Sequence, residues 1–229
     1  MPNPNCNLTD CFLCRYCIPE WRELIAANRK TLFFKKGKTI FKEGEPMKGI
    51  YFVNEGWAKI HKKWTYPKEL IIRFAKPGDM IGHRGMGSED KTYPVSATAL
   101  EDLNVCFVTV EFLESSLRAN PGLTYELMQF YASELQQAEK RMRDLAHMEV
   151  KGRIAGTLLD IDKLFGRNEE DHISVAVSRQ DIASLAGTTY ETVFKLFNEF
   201  KQEKIISTDG KYIRLTDPEK LRQFIHFEN

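Results

Sequence analysis

Residues 121–147 constrain this chain more than any other stretch. From Leu123 onward the segment holds neither Gly nor Pro. Within it Leu127, Tyr131, Leu135, Ala138, Met142 and Leu145 recur at helical spacings. The intervals of four, four, three, four and three residues put them on one side of a helix, close to a coiled-coil seam. Asn120 ahead of Pro121 suits an N-cap followed by a first-turn proline. About 27 residues at 1.5 Å each make a helix roughly 40 Å long. A small β domain cannot cover that length, so an exposed seam needs a partner. The simplest is a second copy across a two-fold axis; the alternative is this chain's own C-terminal domain.

Upstream of the helix the pattern is of another kind. From Thr31 to about Val110, short runs such as Ile50-Tyr51-Phe52-Val53 and Leu70-Ile71-Ile72-Arg73-Phe74 alternate with Gly37, Gly44, Gly49, Gly56, Gly78 and Gly82. Short strands with glycine turns at such intervals predict an antiparallel roll or sandwich. A short helix over Glu20–Asn28 precedes it. Residues 29–63 carry ten Lys/Arg against three Glu, and their alternation with apolar positions marks a solvated sheet face.

Downstream, Arg153–Leu164 reads as a helix. A second begins after the N-cap Ser178, with Asp181 at its third position, and ends at Gly187. Thr188 or Thr189 opens a third helix over Tyr190–Glu203. Two helices joined by a tight glycine turn make a helix-turn-helix, and the strands around Asp209-Gly210 add a hairpin wing. The expected class is therefore α+β: an antiparallel β-roll (jelly roll), a long dimerisation helix and a C-terminal winged helix-turn-helix. Its expected boundaries are a cysteine-rich segment at 1–20, the roll at 21–117, the long helix at 118–147 and the winged domain at 148–229.

Composition narrows the function. With Lys+Arg 33 against Asp+Glu 32 in 229 residues, bulk charge does not drive nucleic-acid binding. No apolar run reaches the ~20 residues of a membrane helix, and the N-terminus lacks the order of a secretion signal, so a cytoplasmic protein without a membrane partner is expected. His61, His83, His147, His172 and His226 are scattered, and no catalytic grouping emerges from spacing, so no enzyme is expected. Cys6, Cys11, Cys14 and Cys17 crowd the first 17 residues while Cys106 stands alone. In a reducing compartment such a cluster reads as a metal site or redox switch. Cys106, inside Val105-Cys106-Phe107-Val108, also suits a buried small hydrophobe.

Ser178-Arg179-Gln180-Asp181-Ile182-Ala183, Gly187, Glu191-Thr192-Val193 and Gly210-Lys211 together resemble the DNA-binding signature of the CRP/FNR transcription-regulator superfamily. The resemblance spans nearly the whole chain, with β-roll, long helix and winged domain in the same order. It implies a homodimer on palindromic double-stranded DNA, with RNA polymerase as a further partner. The helix from Thr189 or Tyr190 would enter the major groove, where Tyr190, Glu191, Phe194 and Lys195 share a face, while Ser178, Arg179 and Gln180 would meet phosphates. Glu191 can accept from cytosine N4 and Lys195 can donate to guanine. The family commonly has Arg at the position of Lys195 and a small residue at that of Phe194, so the site is expected to be related to its TGA-containing half-sites without being identical. Phe194, like Phe197, also suits a core position.

Cyclic-nucleotide-binding members hold the phosphate with a Gly-Glu pair and an Arg-Ser pair. Here the matching residues are Gly82-His83 and Pro94-Val95. Proline and valine offer a buried phosphate no cation or donor, so cyclic AMP is not expected, and Arg84 reads as a surface residue. The oxygen-sensing FNR branch carries a cysteine cluster ending in Cys-Ile-Pro plus one distant cysteine, matched by Cys17-Ile18-Pro19 and Cys106. That resemblance implies an iron–sulfur cluster, of 4Fe–4S type, on Cys11, Cys14, Cys17 and Cys106. The Cys-x2-Cys-x2-Cys run suits three corners of a cube. Proven cluster-binding members usually have a wider gap before that cysteine, so Cys6 is either spare or an alternative ligand. Zinc and a thiol–disulfide switch remain open for the same thiols. So do a cyclic-nucleotide or other small-ligand regulator on this scaffold and an electron-transferring iron–sulfur protein.

Overall fold

A computed structural model of the chain describes residues 11–65 and 69–225. Two helices, α1 (Phe12–Tyr16) and α2 (Trp21–Asn28), lead into β1 (Lys30–Phe34), β2 (Thr39–Phe41), β3 (Gly49–Glu55) and β4 (Ala58–Lys63). There follow β5 (Glu69–Ala75), β6 (Met80–Ile81), a 3-10 turn over His83–Gly87, β7 (Ser96–Ala99) and β8 (Leu103–Thr109). Helices α3 (Val110–Ala119), α4 (Pro121–His147) and α5 (Val150–Phe165) come next. The chain then forms α6 (Arg179–Ala186), α7 (Tyr190–Gln202), β9 (Ile206–Asp209), β10 (Tyr212–Leu215) and α8 (Pro218–Gln223). The chain divides into two compact units between Glu134 and Leu135.

In the first unit two four-stranded antiparallel sheets, ordered β1-β8-β3-β6 and β2-β7-β4-β5, form the roll. Phe41, Tyr51, Val53, Ile60, Ala97, Leu103 and Val105 fill the space between them. Side chains alternate faces along a strand, so Ile50 and Phe52 of β3, and Cys106 and Val108 of β8, emerge on the opposite face. There they join a second apolar cluster with Ile25, Leu113, Leu123 and Leu127 from the helices. Both faces of these central strands are thus buried, which explains why 50–53 and 105–108 are continuous apolar runs. Gly49 is obligatory in this layer, because a Cβ there would stand 2.1 Å from the Val108 carbonyl oxygen.

The second unit carries the helix-turn-helix. Ser178 caps α6 by accepting from the Asp181 amide at 3.0 Å, as its place in the sequence predicts. Gly187 ends α6 at φ +62°, a left-handed backbone that favours glycine. Thr189 caps α7, and β9 pairs with β10 as the wing. Arg153 on α5 clamps the turn: Nε donates to the Ala186 carbonyl at 2.9 Å and Nη1 to that of Met148 at 2.6 Å. The short α1 and α8, and α3 immediately before α4, are additions to the elements predicted from sequence.

Candidate functional site

The cysteine segment is a short helix rather than a loop. Cys11 precedes α1 and Cys17 follows it. Only Cys14 is therefore helical, with Cys11 and Cys17 on extended backbone at the two ends of α1. All three are buried in the same cluster as Cys106 of β8. Arg29 Nη1 lies 3.6 Å from Cys106 Sγ. Burial pushes the Cys17 thiol up, opposed by the nearby Arg22. Cys6 lies outside the described residues. Soft thiols brought into one apolar cluster from two parts of the chain are by type a suitable donor set for an iron–sulfur cluster or zinc. As they stand, however, no three His, Cys, Asp or Glu side chains among the described residues form a metal-holding group.

Contacts among the described residues fasten this segment to the roll and its helices. The Phe12 amide donates to the Gly78 carbonyl at 3.3 Å, and the Ile18 amide to Asn120 Oδ1 at 2.8 Å. Trp21 Nε1 donates to Ser116 Oγ at 2.9 Å. The Phe12 ring meets that of Phe130 on α4, with centroids 5.7 Å apart.

Phe130 in turn touches the edge of His83 at 5.1 Å, where a polar cluster joins the roll to α4. Glu134, only 11% exposed, faces three nitrogenous side chains: Arg73 Nε at 2.9 Å, His83 Nε2 at 3.0 Å and Arg84 Nη2 at 3.1 Å. The Tyr131 hydroxyl donates to the His83 carbonyl at 2.8 Å. Burial pushes the Glu134 carboxyl up, but His83, Arg73 and Arg84 outweigh it and bring it down to about 2. For His83 burial dominates and lowers the imidazole's pKa against the opposing pull of Glu134. Arg84, expected on the surface, is therefore engaged with α4. Glu134, Arg73, Phe130 and Arg29 carried no sequence signal, since isolated charged or aromatic residues on amphipathic elements look like any others.

The structure divides the expected seam on α4. Leu127 is buried against its own roll and Tyr131 is held by His83. These two belong to intramolecular contacts, a correction to the predicted stripe, whereas Leu145 is 39% exposed beside Gly187. Ala138 is exposed, and Leu135 and Met142 remain 60% and 62% exposed. Tyr125 and Met128 are also exposed. Tyr125, Met128, Ala132, Leu135, Glu139 and Met142 alternate at three and four residues, the heptad spacing of a coiled-coil seam.

On the helix-turn-helix, Val193, Phe197 and Phe200 bury one side of α7. Tyr190, Glu191, Phe194 and Lys195 are all exposed on the other, together with Ser178, Gln180 and Thr189. Arg179 is half-buried, with its guanidinium 5.5 Å from the Phe197 ring centroid. Phe197 is core and Phe194 is not. Helix-terminal hydrogen bonds, first from its own amide and then from Thr189, hold the Glu191 carboxyl below the usual range.

A β-roll, a long helix and a winged helix-turn-helix with an exposed recognition helix define a DNA-binding transcription regulator. The cyclic nucleotide-binding domain family matches residues 31–120, and the Crp-like helix-turn-helix domain family matches residues 152–224. The chain belongs to the CRP/FNR superfamily of transcription regulators, whose members bind DNA, act as dimers and are not enzymes. It is 29% identical to the transcriptional activator protein anr of Pseudomonas aeruginosa over 93% of this chain and 90% of that one. It is equally identical to the anaerobic regulatory protein of Bacillus subtilis over 92% and 88%. The solved structure of FixK2 from Bradyrhizobium japonicum is similar at a TM-score of 0.76 and 25% identity, covering 88% of this chain and 99% of that one. No helix among the described residues is long and apolar enough to cross a membrane.

Proposed function

We propose that the chain is a homodimeric regulator whose affinity for palindromic DNA follows oxygen or redox state through Cys11, Cys14, Cys17 and Cys106 as thiolate ligands of an iron–sulfur cluster. The observation that supports this most is the burial of these four thiols in one apolar cluster, together with the likeness to an anaerobic regulatory protein. When bound, such a cluster supplies an oxygen-labile tie between α1 and β8.

The rest of the signal lies in the chain. Phe12 stands between Cys11 and Cys14 and meets Phe130 on α4, so the seating of α1 bears on the helix that carries the dimer seam. His83 and Glu134 hold α4 to the roll on the next turn. A change in the order of α1 can shift the DNA-competent population only if the two states seat it differently. Tyr125, Met128, Leu135 and Met142 form the seam between copies. Tyr190, Glu191, Phe194 and Lys195 face the bases, and Ser178, Arg179, Gln180 and Thr189 approach the phosphates. RNA polymerase is the partner on the promoter, and the cytoplasm, which keeps thiols reduced, is the location.

Glu134 bears on the small-ligand alternative. A cyclic phosphate seated at the His83 turn would compete with this carboxylate for Arg73 and Arg84, which favours the cysteine reading. Anaerobic purification followed by iron and acid-labile sulfide analysis tests the proposal. Iron and sulfide in equal amounts support it, zinc without sulfide supports the structural-zinc alternative, and neither metal with a reversible thiol change supports the switch.

A further inference from the structure

Tyr190 and Phe194 occupy the exposed side of α7 at 43% and 49% exposure. They are one helical turn apart, their ring centroids stand 6.4 Å apart, and the planes meet at 23°. The apolar needs of α7 are met on its other side, where Val193, Phe197 and Phe200 are buried. Two stacked rings left in water are costly unless they meet something. What they can meet is narrowed by their neighbours. Glu191 lies beside them with its carboxyl held ionised, which disfavours close approach of a phosphate and favours base edges. Phe194 has no donor or acceptor, and the apolar group that bases present in the major groove is the C5-methyl of thymine.

We infer that Phe194, braced by the Tyr190 ring, is a specificity-determining residue that reads a pyrimidine C5-methyl group in each half-site. The inference deepens the proposed role of α7 and rests on it. Lys195 and Glu191 supply polar readout of adjacent pairs, while the ring selects thymine over cytosine by its methyl. It follows that 5-methylcytosine satisfies the ring where cytosine does not.

The test uses the full-length dimer and a duplex selected from random sequence. Each thymine is replaced in turn by deoxyuridine, symmetrically in both half-sites, and binding is followed by fluorescence anisotropy. Burial of one methyl at about 0.8 kcal/mol corresponds to roughly four-fold per half-site, and so to about fifteen-fold for the dimer. That loss is expected at one thymine position. Phe194→Ser, an exposed substitution checked by circular dichroism, should still bind the parent duplex and show no loss at that position. For the wild type, 5-methylcytosine there should bind more tightly than cytosine. Equal affinity for thymine and deoxyuridine at every position, with sequence selection intact, overturns the inference and leaves the role of α7 standing. Selection of no sequence at all overturns both.

Discussion

His83 Nε2 stands 3.0 Å from Glu134 Oε2, joining a turn of the roll to the middle of the long helix. The carboxylate only accepts, so the imidazole donates from Nε2. With Arg73 and Arg84 on the same carboxylate, α4 is held to the roll by a nearly buried ionic cluster one turn beyond Phe130. Removing one side of such a cluster strands the other in a poor environment. Glu134→Ala should therefore destabilise the first unit by ~3 kcal/mol, seen as a lower midpoint in urea unfolding. An unchanged midpoint would mean that solvent already screens the cluster.

The same cluster sets a response to acid. Glu134 is brought from an ordinary 4.5 down to about 2, so its contribution is whole above pH 4.5 and is lost as the pH falls toward 2. His83 is shifted down as well. Below about 6.5 the unfolded imidazole takes a proton that the buried one resists, so acid costs stability here too. The melting temperature should fall steadily from pH 7 to 3, and Glu134→Gln should flatten that profile while lowering stability at pH 7. Parallel profiles for the two proteins would show that the acid response arises elsewhere.

The two sides of α4 should separate by mutation. Leu135→Glu places like charges opposite each other in an apolar seam. It should yield monomers at low micromolar concentration in ultracentrifugation with little change in melting. Leu127→Ala, which opens a cavity under α4, should cost ~2–5 kcal/mol of stability while leaving association at matched folded concentration. The reverse pattern would restore Leu127 to the seam.

For DNA readout, Lys195→Ala should cost ~1–3 kcal/mol at the preferred site and relax one base position. Equal weakening across all sequences, with a shallower salt dependence, would instead place Lys195 on a phosphate.

Much of this is legible in the sequence. Pro121 marks the start of α4, and Ser178, Gly187 and Thr189 punctuate the helix-turn-helix, because caps and left-handed glycines are local signals. Cys106 was ambiguous: its apolar run suited a core strand, and only the pairing of β8 with β1 and β3 places it on the side of the cysteine helix. The seam is only partly legible because α4 carries two apolar stripes, one for the roll through Leu127 and one left exposed through Leu135. Sequence spacing cannot tell which stripe has a partner within the chain. Glu134 was invisible for a related reason: a glutamate on a long helix looks solvated until Arg73, His83 and Arg84 arrive from another part of the chain. The α1 helix spans only Phe12–Tyr16, too few residues for periodicity to show.

The proposed coupling of cysteines to DNA affinity is tested most directly by replacing Cys106 with Ser under anaerobic conditions. Iron content, visible absorption and affinity for the selected duplex should be measured on one preparation. Cys106→Ser removes the thiolate that β8 offers beside Arg29, so both the cluster absorption and anaerobic DNA affinity should be lost, while Cys6→Ser changes little. If Cys106→Ser keeps full iron and sulfide and binds DNA as tightly as the parent, Cys106 is a packing residue and the cysteine-based sensor is contradicted.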